Sequence, residues 1–300
     1  MIKSVKPILM SLFAAIALMA CEKTMYEESV IDGNTAPPDK TISNALKETY
    51  INKLYISLLG RKPEKIEFDI AFAELSKDNA SVKRRENVIE GVMGEDEYNE
   101  RIFEIARQEL LNSVDMRGIT EQRDLYIFFR DFEVDPLNKK AMQREVDKLN
   151  RLLEVPNDLN KGTLTIQGLH RRCVDNTIYD EINMGTENFV VSMFQNFLLR
   201  YPTTDTSGVY NELEMASNMV NGNSSVLFLE EGSSKSDFID LVLNSTDYFE
   251  GQIRLLYRAN LYRDPRSEEI ARLVRLYKTN KDFKALQKAV FSSDEYFGLK

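Results

Sequence analysis

The chain has 300 residues, with 39 lysines and arginines against 48 aspartates and glutamates and a formal charge of −9 at pH 7. That balance argues against nucleic acid, whose affinity comes largely from basic side chains on phosphates, and against adhesion to anionic headgroups, which needs a basic patch. One histidine (His170), two cysteines (Cys21 and Cys173) and no tryptophan leave no HExxH, CxxC or CxxCH motif and no site needing two histidines, and they disfavour a sugar-stacking platform. No metal or cofactor is expected.

In chain order, Lys3 and Lys6 precede an uncharged run from Pro7 to Ala20, which ends at Leu18-Met19-Ala20-Cys21. The run is too short to span a bilayer as a finished helix, and its basic flank, apolar core and small-residue end read as a signal peptide over residues 1–20. The junction resembles the lipobox of bacterial lipoproteins, which implies that Cys21 is acylated and becomes the first residue. Losing Lys3 and Lys6 with the leader takes the formal charge from −9 to −11. Cys173 is then the only thiol left, so no intrachain disulfide is possible and stability must come from buried apolar side chains. Residues 21–40 have no periodicity, contain Glu27, Glu28, Asp32, Pro37 and Pro38, and read as a lipidated flexible tether. An acidic stretch behind the lipidated cysteine also resembles a lipoprotein surface-export signal, with a plain spacer equally open.

After Lys40 the apolar positions turn helical: Ile42, Leu46, Ile51, Leu54, Tyr55, Leu58 and Leu59 fall on one face, and Gly60 sits where a helix C′ residue belongs. Similar stripes run through residues 101–111, 136–153 and 267–277, with Pro136 and Pro265 near helix starts. Residues 163–169 and 226–229 are the two plausible strands. The expected class is mainly α: tandem three-helix units in one or two bundles, with at most one or two very short strands.

Self-comparison finds one unit three times. Residues 54–63 read LYISLLGRKP, residues 193–202 MFQNFLLRYP and residues 256–265 LYRANLYRDP. Each is followed by a second landmark: Asp96-Glu97-Tyr98, Asp247-Tyr248 and Asp294-Glu295-Tyr296. The second copy is lengthened by residues 220–236, rich in Gly, Asn and Ser, a loop candidate. The unit resembles a bacterial domain of unknown function from surface and secreted proteins, marked by an "LY..LLGR.P" helix end and a downstream "S.EY", and more remotely the phycobilisome linker domain. The resemblance covers residues 49–100 and 187–300. It implies a helical interaction or display module and supplies no catalytic residues. Leu199 and Tyr262 stand where the first copy has Gly60, so the three turns are expected to differ. The expected domains are a helical domain over 41–185 with the first unit and another over 186–300 with the second and third.

Each unit places an arginine two residues before its proline. Arg61, Arg200 and Arg263 are expected to reach back to Asp96, Asp247 and Asp294, a bidentate pair stapling the first helix to the end of the third; the alternative is a solvated arginine covering apolar surface with its stem. Between the repeats, residues 124–132 hold Leu125, Tyr126, Ile127, Phe128, Phe129 and Phe132 and are expected to form a buried core helix rather than an exposed docking face. Residues 136–153 suit an amphipathic surface helix. His170 and Cys173 share a helix face at i,i+3, as Cys–His catalysis would need, but a buried structural cysteine is the expectation. Asp175, Asp180 and Glu181 lack the spacing of a calcium loop.

These features lead to a non-catalytic, lipid-anchored outer-membrane scaffold or adaptor of the bacterial envelope, bound to an envelope protein and facing either the periplasm or the cell surface. It should carry an exposed aromatic patch, with Tyr201, Tyr210 and Tyr262 as candidates. The alternative is a ligand-binding lipoprotein serving a transporter, taking a glycan or peptide into an aromatic-lined pocket with its mouth at residues 222–232. A carboxylate-pair hydrolase is the third reading.

Overall fold

The computed structural model describes residues 41–204 and 210–299. The expected signal peptide over residues 1–20, the expected lipidation at Cys21 and the expected tether over 21–40 lie outside the described residues. Ile42–Lys300 form one compact unit with a continuous apolar core. Among the described residues there are sixteen α-helices and one two-stranded hairpin, a mainly α fold, and no helix is long and apolar enough to cross a membrane.

The first unit is α1 (Asn44–Leu59), α2 (Lys65–Leu75) and α3 (Val82–Val92). Ser43 starts α1 by accepting the Leu46 N–H, and Gly60 ends it in the left-handed conformation, φ 75°, where the missing Cβ removes the strain. Glu64 and Glu67 form a capping box at the start of α2. The landmark Asp96-Glu97-Tyr98 opens α4 (Asp96–Leu110).

A helical hairpin follows: α5 (Met116–Phe132) and α6 (Pro136–Leu153), which pack chiefly on one another. Asp115 caps α5 on the Gly118 N–H. Asp135 caps α6 on the Leu137 and Asn138 N–H groups, with Pro136 in the first turn. Next come α7 (Val155–Asn160), α8 (Ile166–Val174) and α9 (Thr177–Ile182). Residues 163–169 are therefore not a strand. Thr165 accepts the Gly168 N–H and starts α8 instead, so a local hydroxyl cap overrides the apparent alternation.

The second unit is α10 (Thr186–Met193), running into a π turn at Phe194–Leu198, then α11 (Glu212–Val220), strands β1 (Ser225–Leu227) and β2 (Glu230–Gly232), and α12 (Lys235–Asn244). The strand expected at 226–229 is found at Ser225–Leu227 instead, starting one residue earlier and ending two earlier. Phe228 and Leu229, with φ 53° and 68°, form the two-residue turn, whose left-handed backbone matches strand twist. The third unit is α13 (Thr246–Leu261), α14 (Ser267–Asn280), α15 (Phe283–Phe291) and the single turn α16 (Asp294–Phe297).

The units overlap. Helix α13 opens with the landmark of copy two, where Ser245 accepts the Tyr248 N–H, and it closes with the arginine turn of copy three. Ser293 caps α16 in the same way on the Tyr296 N–H. A fourth start of this kind falls where no repeat is evident in the sequence: Asn176 accepts from the Ile178 and Tyr179 N–H groups, and Tyr179 is wholly buried.

The last unit closes on the first. Tyr50 of α1 packs on Tyr296 and Phe297, with ring centroids at 5.8 and 4.6 Å, and donates from its hydroxyl to the Phe291 carbonyl. Arg85 of α3 meets Asp294 at 2.7 Å and lies over the Phe297 ring. Lys288 meets Glu90 at 2.7 Å.

Candidate functional site

The three arginines build one geometry three times. Arg61 contacts Glu67 at 2.7 Å and Glu97 at 2.6 Å. Arg200 contacts Glu212 at 2.6 Å and Asp247 at 3.0 Å. Arg263 contacts Glu269 at 2.8 Å and Glu295 at 2.6 Å. Each Nη1 also donates to the carbonyl of the next residue, Lys62, Tyr201 or Asp264. Each guanidinium lies 5.0–6.0 Å from the aromatic ring six residues earlier, Tyr55, Phe194 or Tyr257. The first carboxylate of each clasp also accepts the backbone N–H of the residue after the proline: Glu64, Thr203 or Arg266.

Two of the expected partners need correction. Asp247 does meet Arg200, but Arg61 takes Glu97 rather than Asp96, and Arg263 takes Glu295 rather than Asp294, whose partner is Arg85. The residue directly before the tyrosine is the one used in all three units. One residue earlier points about 100° away around the helix. The turns do not differ either: Leu199 and Tyr262, both with φ 55°, adopt the left-handed conformation of Gly60, a strain that the surrounding clasp holds in place.

The first carboxylates, Glu67, Glu212 and Glu269, are not among the partners expected from the sequence. Their signal is Arg-x-Pro-x-x-x-Glu in copies one and three, a separation of six residues that grows to twelve in copy two. Hydrogen bonds from Arg61 and Arg263 hold Glu67 low and pull Glu269 down to about 2. At Glu212 burial opposes ionisation, but bonds from Arg200 and the Thr203 N–H outweigh it and its pKa is lowered too. A carboxyl held ionised in this way has no proton to donate near neutral pH, so the clasps are braces in chemical terms.

His170 and Cys173 do not form a reactive pair. His170 Nδ1 lies 2.9 Å from the Tyr248 hydroxyl, and burial lowers its pKa to about 4. Cys173 is fully buried, which pushes its thiol up to about 12, so thiol and imidazole are both neutral near pH 7. Arg171 and Arg172 are engaged with Asp240 and Asp158. Asp175 meets Lys148, Asp180 meets Lys235, and Glu181 accepts from Gln122. Among the described residues no group of three or more His, Cys, Asp or Glu side chains could hold a metal ion.

The feature with an apolar face left uncovered is α5 of the α5–α6 hairpin. Residues 124–132 are not a buried core helix. Ile119 is the one buried residue of α5, while Leu125, Phe128, Phe129 and Phe132 are exposed, with Val134 and Leu137 beyond them. Phe132 is 73% exposed and Val134 92%. Phe128 packs on Phe129 and Phe132, with centroids at 5.8 and 4.7 Å, so the rings form one contiguous face. Polar groups fix the inner side: Tyr126 bonds Thr177 at 2.8 Å, and Arg130 bonds Gln143 and Asp131.

Tyr201 and Tyr262 are exposed, at 69% and 85%, but each stands at a clasp turn and stacks on no other ring among the described residues. Tyr210 is half-buried and its hydroxyl accepts the Phe228 N–H. The three tyrosines therefore do not form the expected aromatic patch; the exposed aromatic face is on α5, which was expected to be buried. No protein-family profile, curated protein or solved structure gives a significant match to the chain.

Proposed function

We propose that this protein is a non-catalytic helical scaffold or adaptor of the bacterial envelope, anchored in the outer membrane through lipid on Cys21, that holds a partner protein against the α5 face. The observation that carries the reading is the exposed stripe of Phe128, Phe129 and Phe132 on a hairpin whose helices pack chiefly on each other. Contiguous exposed apolar patches on soluble domains mark interaction sites. Spacing at i, i+1 and i+4 suits an amphipathic helix laid into an apolar groove of the partner. Asp131, Glu133 and Asp135 alternate with the apolar tip residues and would be costly to place in hydrocarbon, which favours a protein partner over a bilayer. The repeated clasped units supply a stiff body behind the hairpin.

The test is affinity recovery from crosslinked cells with a tag after Lys300. One envelope protein should be recovered in a fixed ratio and be lost with the Phe128→Gln, Phe129→Gln and Phe132→Gln triple variant. Cys21→Ser should move the protein from the membrane to the soluble fraction. Recovery unchanged by the triple variant would sink the docking face, and a Cys21→Ser protein that stays membrane-bound would sink the anchor.

A further inference from the structure

The three units share a furrow between the helix that follows the clasp and the helix that precedes the tyrosine landmark, but not its cover. In the second unit the β1–β2 hairpin lies across that furrow, on α11 and α12. Leu227 is wholly buried, and the Phe228 ring stands 6.0 Å from Phe194. Gly232 is so close that a Cβ there would lie 3.2 Å from Met219 Sδ and 3.6 Å from Leu241 Cδ1. The third unit closes the furrow with its own side chains. Leu273, wholly buried, stands where the other two have Ala71 and Ala216, and Leu276 and Ala289 pack on the core beside it.

In the first unit the furrow, between α2 and α3, is an open groove of about 650 Å³. It is lined by the counterparts of the residues that the hairpin covers. Tyr55 and Phe194 each stand six residues before the clasp arginine. Glu74 and Met219 stand seven beyond the first clasp carboxylate, and Gly91 and Leu241 seven before the landmark tyrosine. Tyr55, Glu74 and Gly91 all line the groove, with Ile70, Ala71 and Val88. Ile70 is 67% exposed, and a Cβ on Gly91 would meet nothing within 4 Å, so the space is real and apolar.

The second unit shows what such a furrow takes: a tight β-turn that lodges an aliphatic residue and then an aromatic one over an aromatic floor. Charge separates a second copy from a different protein. Glu67 and Glu97 share Arg61, Glu74 and Asp78 are balanced by Lys77 and Arg84, and the Glu95 side chain has no hydrogen bond or ion pair among the described residues. Three carboxylates against one guanidinium leave a surplus of two negative charges at the groove, which favours a basic segment. The chain's own hairpin carries Glu230 and Glu231 beside its turn and has the wrong sign.

We infer that the α2–α3 groove docks a β-turn segment of another protein, one that sets an aliphatic–aromatic pair against Tyr55 and Ala71 and carries lysine or arginine beside it. The groove shares no residue with the α5 face.

Fluorescence anisotropy of the purified full-length protein with cyclised, labelled peptides tests this. The probe has the sequence of residues 224–233 with Glu230→Lys and Glu231→Lys; a second keeps both glutamates, and a third has the lysines with Leu227→Ser and Phe228→Ser. The second unit's furrow is held by its own hairpin at high effective concentration and does not compete. The lysine peptide should bind one per chain and at least about fivefold more tightly than the glutamate peptide, and the serine peptide should not bind. Gly91→Trp, which sets a ring into the groove from an exposed position, should abolish binding, with a circular dichroism melt confirming that the variant is folded. Glu95→Gln should narrow the gap between the lysine and glutamate peptides. Absence of saturable binding by the lysine peptide would overturn the inference, and so would binding that survives Gly91→Trp or persists in the serine peptide. Equal affinity for the glutamate peptide would also overturn it, in favour of a second copy as the occupant. The Phe128, Phe129 and Phe132 substitutions should leave the titration unchanged, which separates failure here from failure of the α5 docking face.

Discussion

Helices α1 and α5 have nearly the same length and comparable apolar content, yet opposite fates. In α1, Tyr50, Ile51, Leu54, Tyr55, Leu58 and Leu59 are buried, because α2, α4 and the terminal turn α16 all pack on it. In α5, Leu125, Phe128, Phe129 and Phe132 occupy an equally regular stripe and remain in water, because among the described residues the only helix substantially against α5 is α6. Burial of a stripe is decided by what the rest of the chain brings to it. An apolar stripe that the fold leaves bare is where an interaction is to be sought.

The comparison can be broken first in the packed region. Gly251 of α13 faces the Phe197 carbonyl of the π turn so closely that a Cβ would lie 2.1 Å from its oxygen. Gly251→Ala should therefore cost about 3 kcal/mol or more, or prevent folding, despite alanine's better helix propensity. Gly91 of α3 meets nothing within 4 Å, and Gly91→Ala should stabilise by up to about 1 kcal/mol. Thermal melts of the two variants should move in opposite directions.

Next in size are the clasps. Arg200→Ala strands Glu212, whose side chain is 4% exposed, and should cost about 3 kcal/mol in denaturant titration, since removing one partner of a buried pair leaves the other charge uncompensated. Arg263→Ala leaves the more accessible Glu269 and should cost about half as much. Lysine should rescue neither fully, because it cannot span two carboxylates and a carbonyl at once.

Smaller still is a pH effect. The Glu269 pKa falls from 4.5 to about 2 in the folded chain, so the unfolded chain takes up its proton first. The clasp's contribution is complete above about 4.5 and is lost as pH falls towards about 2. Glu269→Gln should flatten that part of the acid-stability curve, and an unchanged curve would remove Glu269 from the account. The smallest stability change belongs to the hairpin: replacing Phe128, Phe129 and Phe132 by glutamine should shift stability by no more than about 0.5 kcal/mol per site. A large loss in melting temperature would mean that those rings support the core after all.

Much of the frame was legible in the sequence. Helix ends at Gly60, the prolines behind each arginine and the repeated tyrosine landmarks follow from local rules that hold in the fold. The clasp partners were half legible. Asp96 and Glu97 are chemically equivalent on paper, and only the helix start, set by Glu95, decides which of them faces Arg61. Glu67 and Glu269 could have been found by counting six residues on from each arginine. Glu212 could not, because the extra residues of copy two double that separation. The stripe of α5 has the spacing of a core stripe, and spacing alone does not tell a buried stripe from a bare one. What a helix meets is a property of the tertiary arrangement.

The most direct test of the docking face is site-specific photocrosslinking in intact cells, with a photoreactive residue at position 128 on the hairpin and, separately, at position 262, where Tyr262 is more open to solvent but belongs to no stacked aromatic face. A single discrete adduct from position 128, absent from position 262 and lost when Phe129 and Phe132 are changed to glutamine, is the result predicted here. Adducts of equal yield from both positions, or none from position 128, would contradict it.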